Sequence, residues 1–134
     1  MLDPHGALIC TMVIVSAADS NMTDAELAII GEIVGHLPVF RDFDRDSLPS
    51  VLESCSRLLS RDDGLDEAFV RIKTVLPANL RETAYALACD VAAADGEAAQ
   101  EELRVLEMMR DRLSIDRLIA AGIERGARAR FQTL

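Results

Sequence analysis

The spacing of apolar residues along the chain predicts helices from end to end. Leu8, Met12 and Val15 recur at i, i+4 and i+7, the rhythm of one buried helical face. This pattern predicts a first helix over residues 4–18, with Pro4 in its first turn. A second helix is predicted from an N-cap at Thr23 to about residue 37, where Pro38 ends it.

The same criteria predict five further helices. They cover residues 47–60, 65–75, 78–94, 99–113 and 115–128, with Ser114 or Asp116 capping the last. A loop with room for a short helical turn covers residues 38–46, and no segment shows the alternation of a strand. We therefore predict an all-α fold, a compact bundle of about seven helices in one domain over residues 1–134.

One motif occurs twice in the chain. Residues 17–27 and residues 93–103 share Ala-Ala-Asp, six further residues and then Glu-Leu, 76 residues apart. The alignment pairs Asp19 with Asp95 and Glu26 with Glu102. Because an apolar helical pattern enters and leaves each copy, we predict two helix–acidic turn–helix units over about residues 5–37 and 78–113. The repeat predicts that these units stack about a pseudo-twofold axis.

The four repeated acids lie at the ends of apolar helical faces. Asp19 and Asp95 each follow a valine of the incoming helix by four residues, and Glu26 and Glu102 each begin the apolar stripe of the outgoing helix. Carboxylates at these positions are directed toward the core. Four of them near one end of a bundle need donors, protons or a cation to offset burial and repulsion.

Two interpretations of these acids stay open. In the structural one, they cap helices: Thr23 and Glu26 have the spacing of a capping box, although Ala99 supplies no hydroxyl at the equivalent position before Glu102. In the functional one, Asp19, Glu26, Asp95 and Glu102 bind a divalent cation, with calcium or magnesium favoured over zinc because the ligands are hard oxygens. The first turn is too short for an EF-hand loop.

Charge and composition narrow the range of functions. The net charge is −9, and no Lys or Arg precedes Arg41, so nucleic acid is excluded as a partner. The chain has only two histidines and no glycine-rich loop after a strand, which leaves neither a nucleophilic triad nor a nucleotide cradle. A histidine near a helix end, His36, is predicted to bond the last carbonyls of its helix rather than to bind metal with Glu32.

Cysteine usage and hydropathy indicate a protein of the cytoplasm. Cys10, Cys55 and Cys89 are odd in number, far apart and surrounded by apolar residues, so we predict buried, reduced thiols. The apolar run over residues 7–18 is too short to span a bilayer and lacks the basic start of a signal peptide. No transmembrane segment is predicted.

These motifs resemble the TerB-like family of tellurite-resistance proteins. The resemblance is carried by ALICTMVIVSAADSNMTDAELAIIGEIV and LRETAYALACDVAAADGEAAQEELRVL, and it extends from about residue 5 to about residue 120. It implies a seven-helix domain with internal pseudosymmetry and an acidic metal-binding cluster at Asp19, Glu26, Asp95 and Glu102. It also implies protein partners in a stress-response complex, at the inner membrane face or in the cytoplasm, and no enzymatic activity.

We therefore predict a non-enzymatic module that binds a divalent cation or a partner protein through its acidic turns. Two other classes compete with this prediction. One is a metal-free interaction domain of the kind fused to co-chaperones. The other is an enzyme that uses clustered carboxylates as acid and base, which requires one carboxylate with a raised pKa in a cleft.

Overall fold

A computed structural model describes residues 2–18, 22–94 and 99–134 of the chain. Across these residues the fold is all-helical, as predicted, with seven α-helices. They are α1 (Pro4–Ser16), α2 (Asp24–His36), α3 (Leu48–Leu59), α4 (Gly64–Val75), α5 (Ala78–Ala93), α6 (Gln100–Arg112) and α7 (Arg117–Arg130). Short 3-10 turns at Pro38–Phe40 and Arg45–Ser47 fill the predicted loop between α2 and α3.

Helix α1 is the centre of the domain. Every residue from Gly6 to Ser16 is buried, because α5, α3, α4, α6 and α2 all pack around this helix. The sequence predicted one buried stripe at Leu8, Met12 and Val15, but the helix is enclosed on all sides and is mostly apolar. A helix that is apolar all round is the expected occupant of such a position.

Helices α2 to α6 cover α1, and α7 packs on α5. Helix α5 packs along α1 on one side and against α7 on the other. The core is built from aliphatic side chains with few aromatic ones; the largest fully buried residues are Tyr85, Phe69, Leu8, Ile9, Met12, Ile30, Ile72, Leu76, Met109 and Leu113.

All predicted helix boundaries lie within two residues of the observed ones, and the start of α7 shows why one of them differs by two. Ser114 has a φ of 58°, in the left-handed region, and it ends α6. The Ile115 amide donates to the Arg110 carbonyl at 3.0 Å, and the Ser114 amide donates to the Asp111 carbonyl at 3.1 Å. This pair of backbone hydrogen bonds is a Schellman motif. Ile115 therefore lies outside the last helix, which was predicted to begin there.

Asp116, one of the two predicted caps, is the residue that begins α7. Its Oδ2 accepts hydrogen bonds from the amides of Leu118 at 3.1 Å and Ile119 at 3.2 Å. The helix then continues to Arg130, two residues beyond its predicted end.

Candidate functional site: two helices that begin at buried glutamates

Glu26 lies in the first turn of α2, held by the capping box that the sequence predicted. The Glu26 amide donates to Thr23 Oγ1 at 3.1 Å. In return, Glu26 Oε1 accepts from the Thr23 amide at 2.9 Å and from the Thr23 hydroxyl at 3.2 Å. The side chain folds back to the cap residue, and Glu26 is only 2% exposed.

Glu102 occupies the equivalent place at the start of α6. Its Oε1 accepts a hydrogen bond from the Ala99 amide at 2.9 Å, the same distance as in the first copy. Ala99 has no side-chain oxygen, so the reciprocal bond of a capping box is not formed here. Glu102 is nevertheless buried, with only 4% of its surface exposed. The buried position of this glutamate therefore does not depend on a complete cap.

Burial distinguishes these two glutamates from the other acids that the structure describes. Among residues 2–18, 22–94 and 99–134, no other Asp or Glu is buried. A carboxylate near a helix N-terminus gains about 0.3–1 kcal/mol from the helix dipole. Moving it out of water costs several kcal/mol unless donors or positive charge compensate. Both sites thus combine an unfavourable burial with oxygen atoms suited to a hard cation.

The other two predicted ligands, Asp19 and Asp95, lie outside the described residues. The helices that lead toward them, α1 and α5, pack against each other. Within the described part of the chain, no three His, Cys, Asp or Glu side chains are grouped closely enough to hold a metal ion. Of the four predicted cation ligands, the structure therefore describes Glu26 and Glu102.

A buried hydroxyl lies at the end of α1, three residues before the first acidic turn. Ser16 is fully buried, and its Oγ has no hydrogen-bond partner among the described residues. Burying a hydroxyl without a hydrogen-bond partner costs free energy of folding. Ser16 therefore adds a buried polar atom three residues before Asp19.

Two smaller predictions about side chains are confirmed. The His36 ring forms a hydrogen bond through Nδ1 with the Glu32 backbone carbonyl at 2.8 Å. It therefore caps the end of α2, and its partner is the backbone rather than the carboxylate of Glu32. Cys10, Cys55 and Cys89 are all buried free thiols. The hydrogen bond to the Cys55 side chain, together with burial, raises the pKa of Cys10, and burial raises the pKa of Cys89 to about 12.

Sequence reasoning missed a second polar cluster, which three helices assemble. Glu124 Oε2 of α7 accepts hydrogen bonds from the Tyr85 hydroxyl of α5 at 2.5 Å and from Arg110 Nη1 of α6 at 2.8 Å. Burial and the bond to Glu124 raise the pKa of Tyr85, and the bond to Glu124 raises the pKa of Arg110. The partners are far apart in the chain, and no local motif connects them. The one available signal was that Tyr85 is the chain's single tyrosine.

The fold and the site define an all-helical domain in which two helices carry, in their first turns, a buried glutamate that belongs to a repeated acidic motif. The chain belongs to the TerB family: the family model described as tellurite resistance protein TerB matches residues 5–122. That match includes both acidic turns, helix α1 from its second residue, and helices α2 to α6 in full. Comparisons with curated proteins and with solved structures gave no match.

Among the helices of the described residues, none combines the length and the apolar character needed to cross a bilayer.

Proposed function

We propose that this chain is a non-enzymatic TerB-family module of a cytoplasmic tellurite-resistance or stress-response system. In this proposal Asp19, Glu26, Asp95 and Glu102 bind one divalent cation, calcium or magnesium. The module acts with protein partners, and it works in the cytoplasm or at the inner face of the membrane.

One observation carries the proposal: Glu26 and Glu102 are the buried acids of the described residues, and they hold the same place in two helices. In each, the carboxylate accepts a bond from the amide of the cap residue at 2.9 Å. A helix can be capped from its surface without burying an acid. A bound cation gives a reason for directing both carboxylates inward, since it compensates their charge where water cannot.

The chemistry of the ligands favours a hard ion. Calcium takes 6–8 oxygen ligands at about 2.3–2.6 Å, and magnesium takes carboxylates while keeping several waters. Zinc prefers cysteine and histidine. The three cysteines are buried in the core, and His36 is engaged with its own helix. The repeated motif itself offers only oxygen ligands.

A titration tests the proposal directly. Calcium, magnesium, manganese and zinc are added to the full chain up to millimolar concentration, and binding is followed by calorimetry and by NMR. We expect calcium or magnesium to shift the resonances of both acidic turns. If no ion changes the spectra, the cation site is wrong and the chain is an interaction module.

Matched variants assign the ligands. Glu26→Gln and Glu102→Gln keep an oxygen that can accept the cap bond but remove the charge, so each should weaken ion binding by about tenfold or more while the helices persist. Glu101→Gln removes an exposed charge next to Glu102 and should change little. Asp19→Ala and Asp95→Ala should weaken binding to similar extents if the two turns are equivalent. Loss of the fold in all four variants would instead assign the acids to capping.

A protein-binding role has separate support. Leu27 and Leu103 directly follow the two glutamates, and they are 42% and 50% exposed. The repeat thus places one exposed leucine beside each acidic helix start, on a protein of net charge −9. A partner with a basic surface and apolar contacts fits this pair. Leu27→Ser together with Leu103→Ser should abolish capture of such a partner without affecting ion binding.

A further inference from the structure

A cleft of about 690 Å³ lies where α5, α6 and α7 meet. Its apolar wall consists of Ala92, Leu103, Leu106, Ala127 and Phe131. Small-molecule sites typically have volumes of about 300–1,000 Å³, with mostly apolar walls and a few polar groups that fix the ligand's orientation. The size and the wall of this cleft suit a ligand with an apolar body.

The polar side of the cleft contains an acid that is already neutralised. Glu124 Oε2 accepts from Tyr85 at 2.5 Å and from Arg110 at 2.8 Å. Since a guanidinium carries five N–H donors, this bond leaves most of the Arg110 donors for another acceptor. The negative charge of Glu124 is therefore balanced within the protein.

A second cation at the cleft has no such partner. Arg128 lines the cleft and is exposed, and within the described residues it forms no ion pair. The other acid of the lining, Glu107, lies three residues after Arg104 and three before Arg110 on α6. That spacing places it between two arginines on the helix surface. The lining therefore holds two arginines and two glutamates, and Arg128 is the arginine among them that forms no ion pair within the described residues.

The chain around the cleft carries an excess of positive charge. Residues 104–134 contain seven of the chain's 14 basic side chains and four acids, although the whole chain has a net charge of −9. This excess of positive charge lies on α7, which has four arginines and one acid, so the α7 side of the cleft is the side suited to an anion.

We propose that this cleft binds an amphipathic anion, a small molecule with an apolar body and a single carboxylate or phosphate head group. The head group lies against Arg128 and the remaining donors of Arg110, whose planar guanidinium groups match both kinds of oxyanion. The apolar body covers Leu103, Leu106 and Phe131. The cleft shares Leu103 with the proposed partner surface, but none of the four proposed cation ligands lines it, so this proposal stands independently of the cation site.

The protein carries its own reporter for this cleft. Tyr85 is the single tyrosine, the chain has no tryptophan, and Tyr85 lines the cleft. Intrinsic fluorescence excited near the tyrosine band therefore reports on this place alone. We would titrate the full chain with decanoate, decyl phosphate and decanol below their micelle concentrations, and monitor the helices by circular dichroism.

The expected result is saturable binding in which at least one of the two anions binds about tenfold or more tightly than decanol, because a charge-assisted bond to arginine is stronger than a bond to a neutral hydroxyl. A preference between decanoate and decyl phosphate identifies the head group. Fluorescence that does not change up to millimolar anion would overturn the proposal. Equal affinity for decanol, or loss of the helices on binding, would also overturn it.

Two arginines of α7 supply the matched variants. Arg128→Gln should weaken binding of the preferred anion about tenfold and leave decanol binding unchanged. Arg125→Gln removes an exposed charge of the same helix that does not line the cleft, and it should have no effect. If both substitutions weaken the anion equally, the interaction is a general attraction to positive surface and the proposed site is wrong.

Discussion

A backbone carbonyl leaves no room for a side chain at Gly64, in the turn between α3 and α4. A Cβ added at residue 64 would lie 2.1 Å from the Leu58 carbonyl oxygen and 3.0 Å from the Leu59 Cα. Both are backbone atoms, which cannot rotate away as the end of a side chain can. The turn therefore brings the end of α3 into contact with the first residue of α4.

Gly64→Ala should accordingly destabilise the domain by about 2 kcal/mol or more, as overpacking against a rigid neighbour does. Gly31→Ala is the control: nothing lies within 4 Å of its added Cβ in the middle of α2. It should stabilise by up to about 1 kcal/mol, since alanine has the higher helix propensity. Urea unfolding followed by circular dichroism measures both, and similar effects of the two substitutions would contradict this account.

Ser114 accepts a strained backbone conformation so that α6 can end in a Schellman motif. At a φ of 58°, a residue with a Cβ costs about 1–2 kcal/mol relative to glycine. The exposed hydrogen bond that Lys73 Nζ donates to Ser114 Oγ at 3.0 Å offsets part of this cost. Ser114→Gly should therefore raise the free energy of unfolding by about 0.5–1 kcal/mol. A decrease in the same measurement would show that the lysine contact contributes more than the strain costs.

At the scale of the element, the starts of α2 and α6 differ by one hydroxyl. Thr23 donates and accepts in a full capping box, whereas Ala99 offers only its amide. Ala99→Ser should complete the second box and stabilise the domain by about 1 kcal/mol, and Thr23→Ala should destabilise it by about the same amount. Thermal unfolding compares them. If Ala99→Ser has no effect, the start of α6 does not depend on capping. The burial of Glu102 would then be explained by cation binding.

Helices were the part of the structure that the sequence could predict. Their signals are local: the periodicity of Leu8, Met12 and Val15, a proline at a first turn, or a threonine three residues before a glutamate. The start of α7 was placed two residues early because the left-handed conformation of Ser114 depends on hydrogen bonds to α6. A serine carries no sequence signal for such a conformation, as a glycine does.

The two candidate sites differ in the same way. Glu26 and Glu102 could be selected from the sequence, because each belongs to a repeated motif at the start of one helix. The cleft could not, because Tyr85 and Glu124 are 39 residues apart and meet only when α5 packs on α7. Neither residue has an unusual neighbour in the chain. Contacts between distant helices are set by packing, which a single sequence does not reveal.

At the scale of the whole molecule, buried thiols make stability depend on alkaline pH. Burial raises the pKa of Cys89 from 9.0 to about 12. Between these values the unfolded chain releases the thiol proton and the folded chain retains it. The contribution is fully present below about pH 9 and is lost as the pH rises toward about 12, with a slope of at most about 1.4 kcal/mol per pH unit.

We therefore expect the free energy of unfolding to fall from pH 9 upward, and to fall less steeply in Cys89→Ala. The comparison concerns slopes, because the smaller side chain also leaves a cavity that lowers stability at every pH. Urea unfolding at a series of alkaline pH values measures both proteins under reducing conditions. Identical slopes would show that Cys89 ionises normally in the folded domain.

The enclosure of α1 has a consequence for the order in which the protein is made. This helix precedes all of its partners along the chain, and its longest partner, α5, ends only at Ala93. Until α5 has been synthesised, the most apolar helix of the domain lacks that partner. We therefore expect a ribosome stalled before α5 is complete to display an apolar segment that is prone to aggregate.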